Sequence, residues 1–221
     1  MVSAAYPAVA ELAELRWGMV TTAQAEQVGV SRAQLSRMAD KGLLTRLVQG
    51  VYRVAGAPEL EHEAIYATWL ALGGATRPAT PDGVPAVVAG GVTAAVLHGI
   101  GDFWPEHDFL VPARRTTRLP AVRLRIRHLA TAEVSTAEGV PVLTVERTIA
   151  DLVNLWIDTS LITDTLRDGI QQGKLVNPRA LIDYLSPYAS RHDHPAGDGQ
   201  ALAAELIERA GIEPLGWPSR A

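Results

Sequence analysis

Apolar residues recur at helical spacing from the start of the chain. Pro7 suits a first helical turn, Val9, Leu12, Ala13 and Leu15 then fall on one side, and Gly18 ends the run. Thr21 or Thr22 caps a short second helix, closed by Gly29. Ser31 caps a third helix that ends at Gly42, and the turn Gly29-Val30-Ser31 has the length used in helix-turn-helix units. In this third helix Leu35, Met38 and Ala39 share a face at i, i+3, i+4. Ser36, Arg37 and Asp40 point the other way, with Gln34 and Lys41 on the flank and Arg32 in the first turn. Two β-prone runs, 43–48 and 51–54, surround Gln49-Gly50 and predict a hairpin. Three helices and a hairpin predict a winged helix-turn-helix over 1–57, with 58–221 as a second domain.

The second segment alternates between short strands and helices. Ile65, Trp69 and Leu72 predict a helix stopped by Gly73-Gly74, and 73–85 is a Pro/Gly/Thr-rich loop. Strands are expected at 87–89, 108–112, 122–128 and 140–143, with a short helix at 92–99. Thr144 caps a helix carrying Val145, Ile149, Leu152, Val153 and Trp156, and Arg147 and Asp151 stand as an i, i+4 pair on it. Further helices start at Ser160 and at Asn177-Pro178. A polar loop follows at 186–199, then a last helix ends at Gly211 before an extended tail. A few strands between helices, then a run of helices, predict an α+β chain: a winged helix-turn-helix followed by a larger mixed α/β domain.

Charge sharpens this picture. The net charge of −4 over 221 residues conceals two basic stretches in an acidic background. One is 31–53, with Arg32, Arg37, Lys41, Arg46 and Arg53 against Asp40 alone. The other is 111–130, with Arg114, Arg115, Arg118, Arg123, Arg125 and Arg127 and no acid. A recognition helix needs a narrow apolar stripe for docking and donors facing the major groove, and Arg can pair with guanine as Gln can with adenine. Arg46 and Arg53 flank the wing, where phosphates lie, with Gln49 and Gly50 at its tip. The candidate DNA contacts are therefore Thr22, Ser31, Arg32, Gln34, Ser36, Arg37, Lys41, Arg46, Gln49 and Arg53.

The second basic stretch stays open. Strict alternation over 122–128 puts Val122, Leu124 and Ile126 on one face of a strand and Arg123, Arg125 and Arg127 on the other. That charged face fits an exposed sheet surface paired with acids on neighbouring strands, a dock for an acidic protein, or a second phosphate-contacting surface.

Catalytic chemistry finds little support. Neither lysine follows a Gly-rich phosphate loop, no GxSxG elbow occurs, and the absence of cysteine removes thiolate nucleophiles and metal ligands. A nuclease signature with an acid two residues before a lysine fails, because Ala39 precedes Lys41 and Gln172 precedes Lys174 at that place. His192-Asp193-His194 has two-ligand spacing but lies in a Gly/Pro-rich loop, and reads as solvated. His98 reads as a hydrogen-bonded packing residue, and His107 between Glu106 and Asp108 as loop chemistry. No enzyme activity, metal or cofactor is expected. With no apolar run long enough to span a bilayer and acids where a secretion signal needs a basic start, a cytoplasmic protein is expected.

The stretch GMVTTAQAEQVGVSRAQLSRMADKGLLTRLVQGVYRV resembles the N-terminal winged helix-turn-helix of the AbiEi family of bacterial antitoxins, which belong to type IV toxin–antitoxin systems. The Gly-Val-Tyr-Arg ending of the wing, Gly50 to Arg53, is its most distinctive part. Residues 60–175 resemble the family's second domain more loosely, through 92–99 and 139–152. The resemblance implies a DNA-binding antitoxin whose winged helix binds inverted repeats in its own promoter, as a dimer or as two monomers. It also implies that the C-terminal domain counteracts a nucleotidyltransferase toxin, directly or indirectly. A ligand-responsive repressor without a toxin, and an enzyme with a DNA-targeting module, are the alternatives.

Overall fold

The computed structural model describes residues 2–212, and the expected tail beyond that lies outside the described residues. The chain forms two compact units. The first reaches residue 77 and takes in 116–121, and the second holds 78–115 and the chain from 122.

The first unit runs α1 (Val2–Glu14), β1 (Met19–Thr21), α2 (Thr22–Gln27), α3 (Arg32–Asp40), β2 (Leu44–Val48), β3 (Val51–Val54) and α4 (Glu63–Ala71). Its three strands are antiparallel in the order β1-β3-β2. Thr21 and Ser31 each close a capping box, with Gln24 and Gln34 respectively, so both short helices start where a side chain satisfies their first free amides. Val9 and Ala13 of α1, Ala25 of α2, Leu35 and Met38 of α3, and Tyr52 of the wing form one core. The apolar stripe of α3 is therefore spent on docking, which leaves its other side outward.

Three features differ from what the residue pattern predicts. The first helix begins before Pro7, which sits inside it, and Leu15 lies just past its end, 73% exposed. Strand β1 is an addition; three residues are too few to show alternation, and pairing with β3 alone makes them a strand. The unit also does not close at 57. Helix α4 is apolar nearly all round, as a helix buried on all sides must be. It packs on the wing sheet, where Tyr66 stacks on Trp17 at 4.7 Å between ring centres.

The second unit contains β4 (Val88–Ala89), α5 (Gly91–His98), β5 (His107–Val111), β6 (Val122–Ile126), β7 (Val134–Ala137), β8 (Val140–Leu143), α6 (Val145–Asn154), α7 (Thr159–Gln171), α8 (Pro178–Leu185) and α9 (Gly199–Ala210). The sheet order is β6-β5-β4-β8-β7, with β5/β6 and β4/β8 parallel and the other pairs antiparallel. Ile149 and Leu152 of α6, Leu166 of α7, Leu181 and Leu185 of α8, and Leu202 and Leu206 of α9 form the helical core. Asp158, rather than Ser160, caps α7. A 3-10 turn occupies 186–192, within the stretch that reads as loop. Strand β7 is a second addition; it is the antiparallel partner of β8. Trp156 does not join the apolar side of α6. It follows the helix at φ 57°, stays 60% exposed, and stacks on His192 at 4.6 Å.

His98 ends α5, and its Nε2 donates to the Leu143 carbonyl at 2.7 Å, tying α5 to the end of β8. Burial pushes its pKa below the ordinary histidine value; the Leu143 bond opposes this and the nearby Lys174 charge adds to it. A depressed histidine pKa means the unfolded chain takes up a proton before the folded one. The neutral form's contribution is therefore complete above the unfolded value of about 6.5 and is lost as pH falls below it. Wild type is expected to lose more stability than His98→Gln between pH 7.5 and 5.5, read from urea midpoints. Equal losses would exclude His98 as the source.

Candidate nucleic-acid interface

On α3 the residues at 32, 33, 36, 37 and 40 are exposed and follow helical spacing, so one face carries Arg32, Ser36, Arg37 and Asp40. Lys41 is exposed at the helix C-terminus. Arg37 donates Nε–H to the Ala33 carbonyl at 3.0 Å, which lays its stem along the helix and leaves the two terminal nitrogens outward. Arg32 pairs with Glu26 of α2 at 3.2 Å, both side chains being well exposed. Such an exposed pair holds only about 0–1 kcal/mol, so another anion can replace the carboxylate.

Ser31 and Gln34 are committed to the helix start. Ser31 Oγ accepts from the Gln34 amide at 3.4 Å, and Gln34 Oε1 accepts from the Ser31 amide at 2.8 Å. Gln34 keeps its amide donors for other partners. On the wing, Arg46 and Gln49 are exposed. The two-residue turn Gln49-Gly50 places Gly50 at φ 82°, a conformation that favours glycine.

Two candidate contacts are drawn elsewhere. Thr22 is buried, and both its amide (2.8 Å) and its hydroxyl (3.3 Å) donate to the Gly50 carbonyl, locking the start of α2 to the wing turn. Arg53 is 11% exposed and pairs with Glu59 at 3.1 Å and Glu63 at 2.5 Å. It serves the packing of α4 rather than a phosphate. The acids at 59 and 63 stand six and ten residues beyond Arg53, and only the return of α4 onto the sheet brings them there.

The second arginine set is divided between the two units. Arg118 belongs to the first unit, whereas Arg114 and Arg115 belong to the second, Arg114 exposed and Arg115 half-buried. On β6 the charged face is the inward one. Arg125 Nε meets both carboxylate oxygens of Asp108 at 2.9 and 3.1 Å, and its terminal nitrogens grip both oxygens of Asp151 on α6. Arg123 bridges Asp108 (3.1 Å) and Glu106 (3.3 Å), and Arg127 approaches Asp151 at 3.5 Å and bonds the Tyr188 hydroxyl at 3.2 Å. Burial works against the charge on Arg125, but its bonds to Asp151 and Asp108 more than offset that and hold its pKa above the ordinary value. Of the three readings left open by the sequence, pairing with acids describes this face, although Asp108 and Asp151 are buried, Arg125 is half-buried and only Glu106 and Arg123 are exposed. Ile126, on the apolar face of the same strand, is 56% exposed.

Glycine makes room for this cluster. Gly91 lies at φ 50°, and a Cβ there would stand 2.8 Å from an Asp108 carboxylate oxygen. Its amide donates to Asp151 at 2.9 Å. Arg147 and Asp151 do not pair with one another. Arg147 is buried against Glu133 at 2.9 Å and the Tyr188 hydroxyl at 3.2 Å, while Asp151 faces the β6 arginines.

Three further histidines, at 107, 192 and 194, are also placed. His107 alternates away from Asp108, and its two acidic neighbours go to the arginines, so no acid–base cluster forms there. His194 Nε2 lies 2.6 Å from Glu205, and His192 stacks on Trp156. Among the described residues, no group of three His, Asp or Glu side chains is arranged to hold a metal, and no helix is long and apolar enough to cross a membrane.

Residues 7–55 match a protein-family model described as "Transcriptional regulator, AbiEi antitoxin", a span that runs from α1 to the end of the wing. No curated protein matches the chain. A solved structure, that of the RV2827C protein from Mycobacterium tuberculosis, is similar over 96% of this chain and 83% of that chain, at 19% identity and a TM-score of 0.45.

Proposed function

We propose that this chain is a DNA-binding antitoxin that represses its own operon through the winged helix and counteracts a nucleotidyltransferase toxin through the larger unit. The observation that carries the DNA reading is the outward face of α3, where Arg32, Ser36 and Arg37 stand as donors beside the exposed wing residues Arg46 and Gln49. The family match over 7–55 covers these same residues. In this reading Ser36 and Arg37 enter the major groove. Lys41, Arg46 and Gln49 meet backbone or flanking bases, and Gln34 contributes its free amide donors. The larger unit acts by binding, directly or through a shared target, and not by catalysis. One cavity of this unit, between 80–88 and the ends of β5 and β6, holds about 190 Å³. That is small beside the roughly 300–1,000 Å³ of drug-sized ligand sites.

The test has two arms. The full chain is titrated by gel shift against a duplex from upstream of its own coding sequence and against a scrambled duplex. Preferential binding to the upstream duplex is expected, and equal binding would overturn autorepression. In the second arm, co-expression with an adjacent nucleotidyltransferase gene is expected to restore growth, also when Arg32 and Arg37 are both alanine. Growth arrest despite co-expression would overturn the antitoxin role.

A further inference from the structure

The first unit carries an open groove of about 430 Å³ that the winged-helix motif alone does not build. Thr22 at the start of α2, Arg32 at the start of α3, the wing from Arg46 to Tyr52, and the end of α4 form part of its lining. The rest comes from residues 116–119, a segment of the β5–β6 connection that returns to this unit. Three guanidiniums, Arg32, Arg46 and Arg118, line the groove with hydroxyls from Thr116 and Thr117, and no acidic side chain lines it.

The β6 cluster makes the contrast. There three arginines also converge, but Asp108, Asp151 and Glu106 neutralise them. Here Arg32 has only its exposed pair with Glu26, and among the described residues neither Arg46 nor Arg118 forms an ion pair. Like charges held around one open concavity repel until an anion enters, and such a concavity concentrates anions from solution. The groove lies alongside the start of α3 and the wing, the elements assigned to DNA, so the anion that fits this position is the duplex backbone.

We propose that the 116–119 segment is a third DNA-contacting element of the winged-helix unit, in which Arg118, with Arg32 and Arg46, seats backbone phosphate beside the site read by α3. The proposal rests on the DNA reading above. It adds a sequence-independent contact from a segment about sixty residues beyond the wing. Arg118 would position the protein on the duplex and carry no base preference.

Salt dependence tests it. The full chain is titrated against a duplex of arbitrary sequence by fluorescence anisotropy at several salt concentrations, and log K is plotted against log[salt]. Removing one phosphate neutralisation lowers the magnitude of the slope by about 0.9. Arg118→Ala is expected to show that reduction, Arg118→Lys to keep most of the wild-type slope, and Arg179→Ala to leave it unchanged. Arg179 is an exposed arginine of α8 paired with Asp183, so it controls for net charge. If wild type binds and Arg118→Ala keeps the full slope, the third element is refuted while the DNA reading stands. Equal reductions for Arg118→Ala and Arg179→Ala also refute it, by pointing to net charge alone. If wild type does not bind duplex at all, the DNA reading itself falls and this proposal with it. Arg118 is exposed, so unchanged circular dichroism is expected for each variant.

Discussion

Arg125→Ala is expected to destabilise the larger unit by about 3–5 kcal/mol, the cost of leaving buried charge without its partner. Asp108 and Asp151 are essentially inaccessible, and Arg125 engages both carboxylates through both of their oxygens. After its removal Asp108 retains Arg123. Asp151 retains the Gly91 amide and the more distant Arg127. Neither set replaces two paired forks. Arg125→Lys should recover only part of the loss, because one ammonium lacks the planar fork that spans both acids. Arg123→Ala should cost less than about 1 kcal/mol, since Arg123 is half-exposed and Asp108 keeps Arg125. Urea midpoints measured with a constant m-value would check the order, and in a protein of this size each kcal/mol lowers Tm by about 2–4 °C. An Arg125→Ala midpoint equal to that of Arg123→Ala would show that the cluster is not what joins β6 to α6.

The second large effect concerns DNA. Replacing Arg32 and Arg37 together with alanine is expected to weaken binding to the upstream duplex by at least tenfold. One arginine paired with guanine is worth about 1–3 kcal/mol, and each phosphate contact adds its own counterion release. The single variants separate the roles. Arg37→Ala should relax base preference if its terminal nitrogens meet guanine, or lower the salt slope by about 0.9 if they meet phosphate. Arg53→Ala makes the complementary case. Its guanidinium is occupied by Glu59 and Glu63, so its loss should reduce stability and leave the salt slope unchanged. An unchanged gel-shift titration for the Arg32/Arg37 double variant would remove α3 from the interface.

Much of the first unit is readable without coordinates because its signals are local. Ser31 and Gln34 stand three apart and cap α3, Leu35 and Met38 recur at helical spacing and are buried, and Gln49-Gly50 turns the wing. Each of these depends on neighbours within one helical turn or one hairpin. The same holds for the outward arginines of α3, which follow once the docking face is known. The alternation on β6 is equally local, and it separates the two faces of the strand correctly.

Alternation does not decide which face turns inward. Buried acids on β5 and α6, at 108 and 151, draw the arginines to the interior side and leave Ile126 half in solvent. Arg53 reads as a wing phosphate contact until α4 folds back with Glu59 and Glu63. Arg118 reads as part of one long basic stretch until the β5–β6 connection carries it to the wing. The helices, the hairpin and the docking face of α3 thus follow from the order of residues, because periodicity and capping act between neighbours in the chain. Which arginines are neutralised and which stay open to an anion follows only from the folded arrangement, because ion pairing depends on distances in space between residues from six to tens of positions apart.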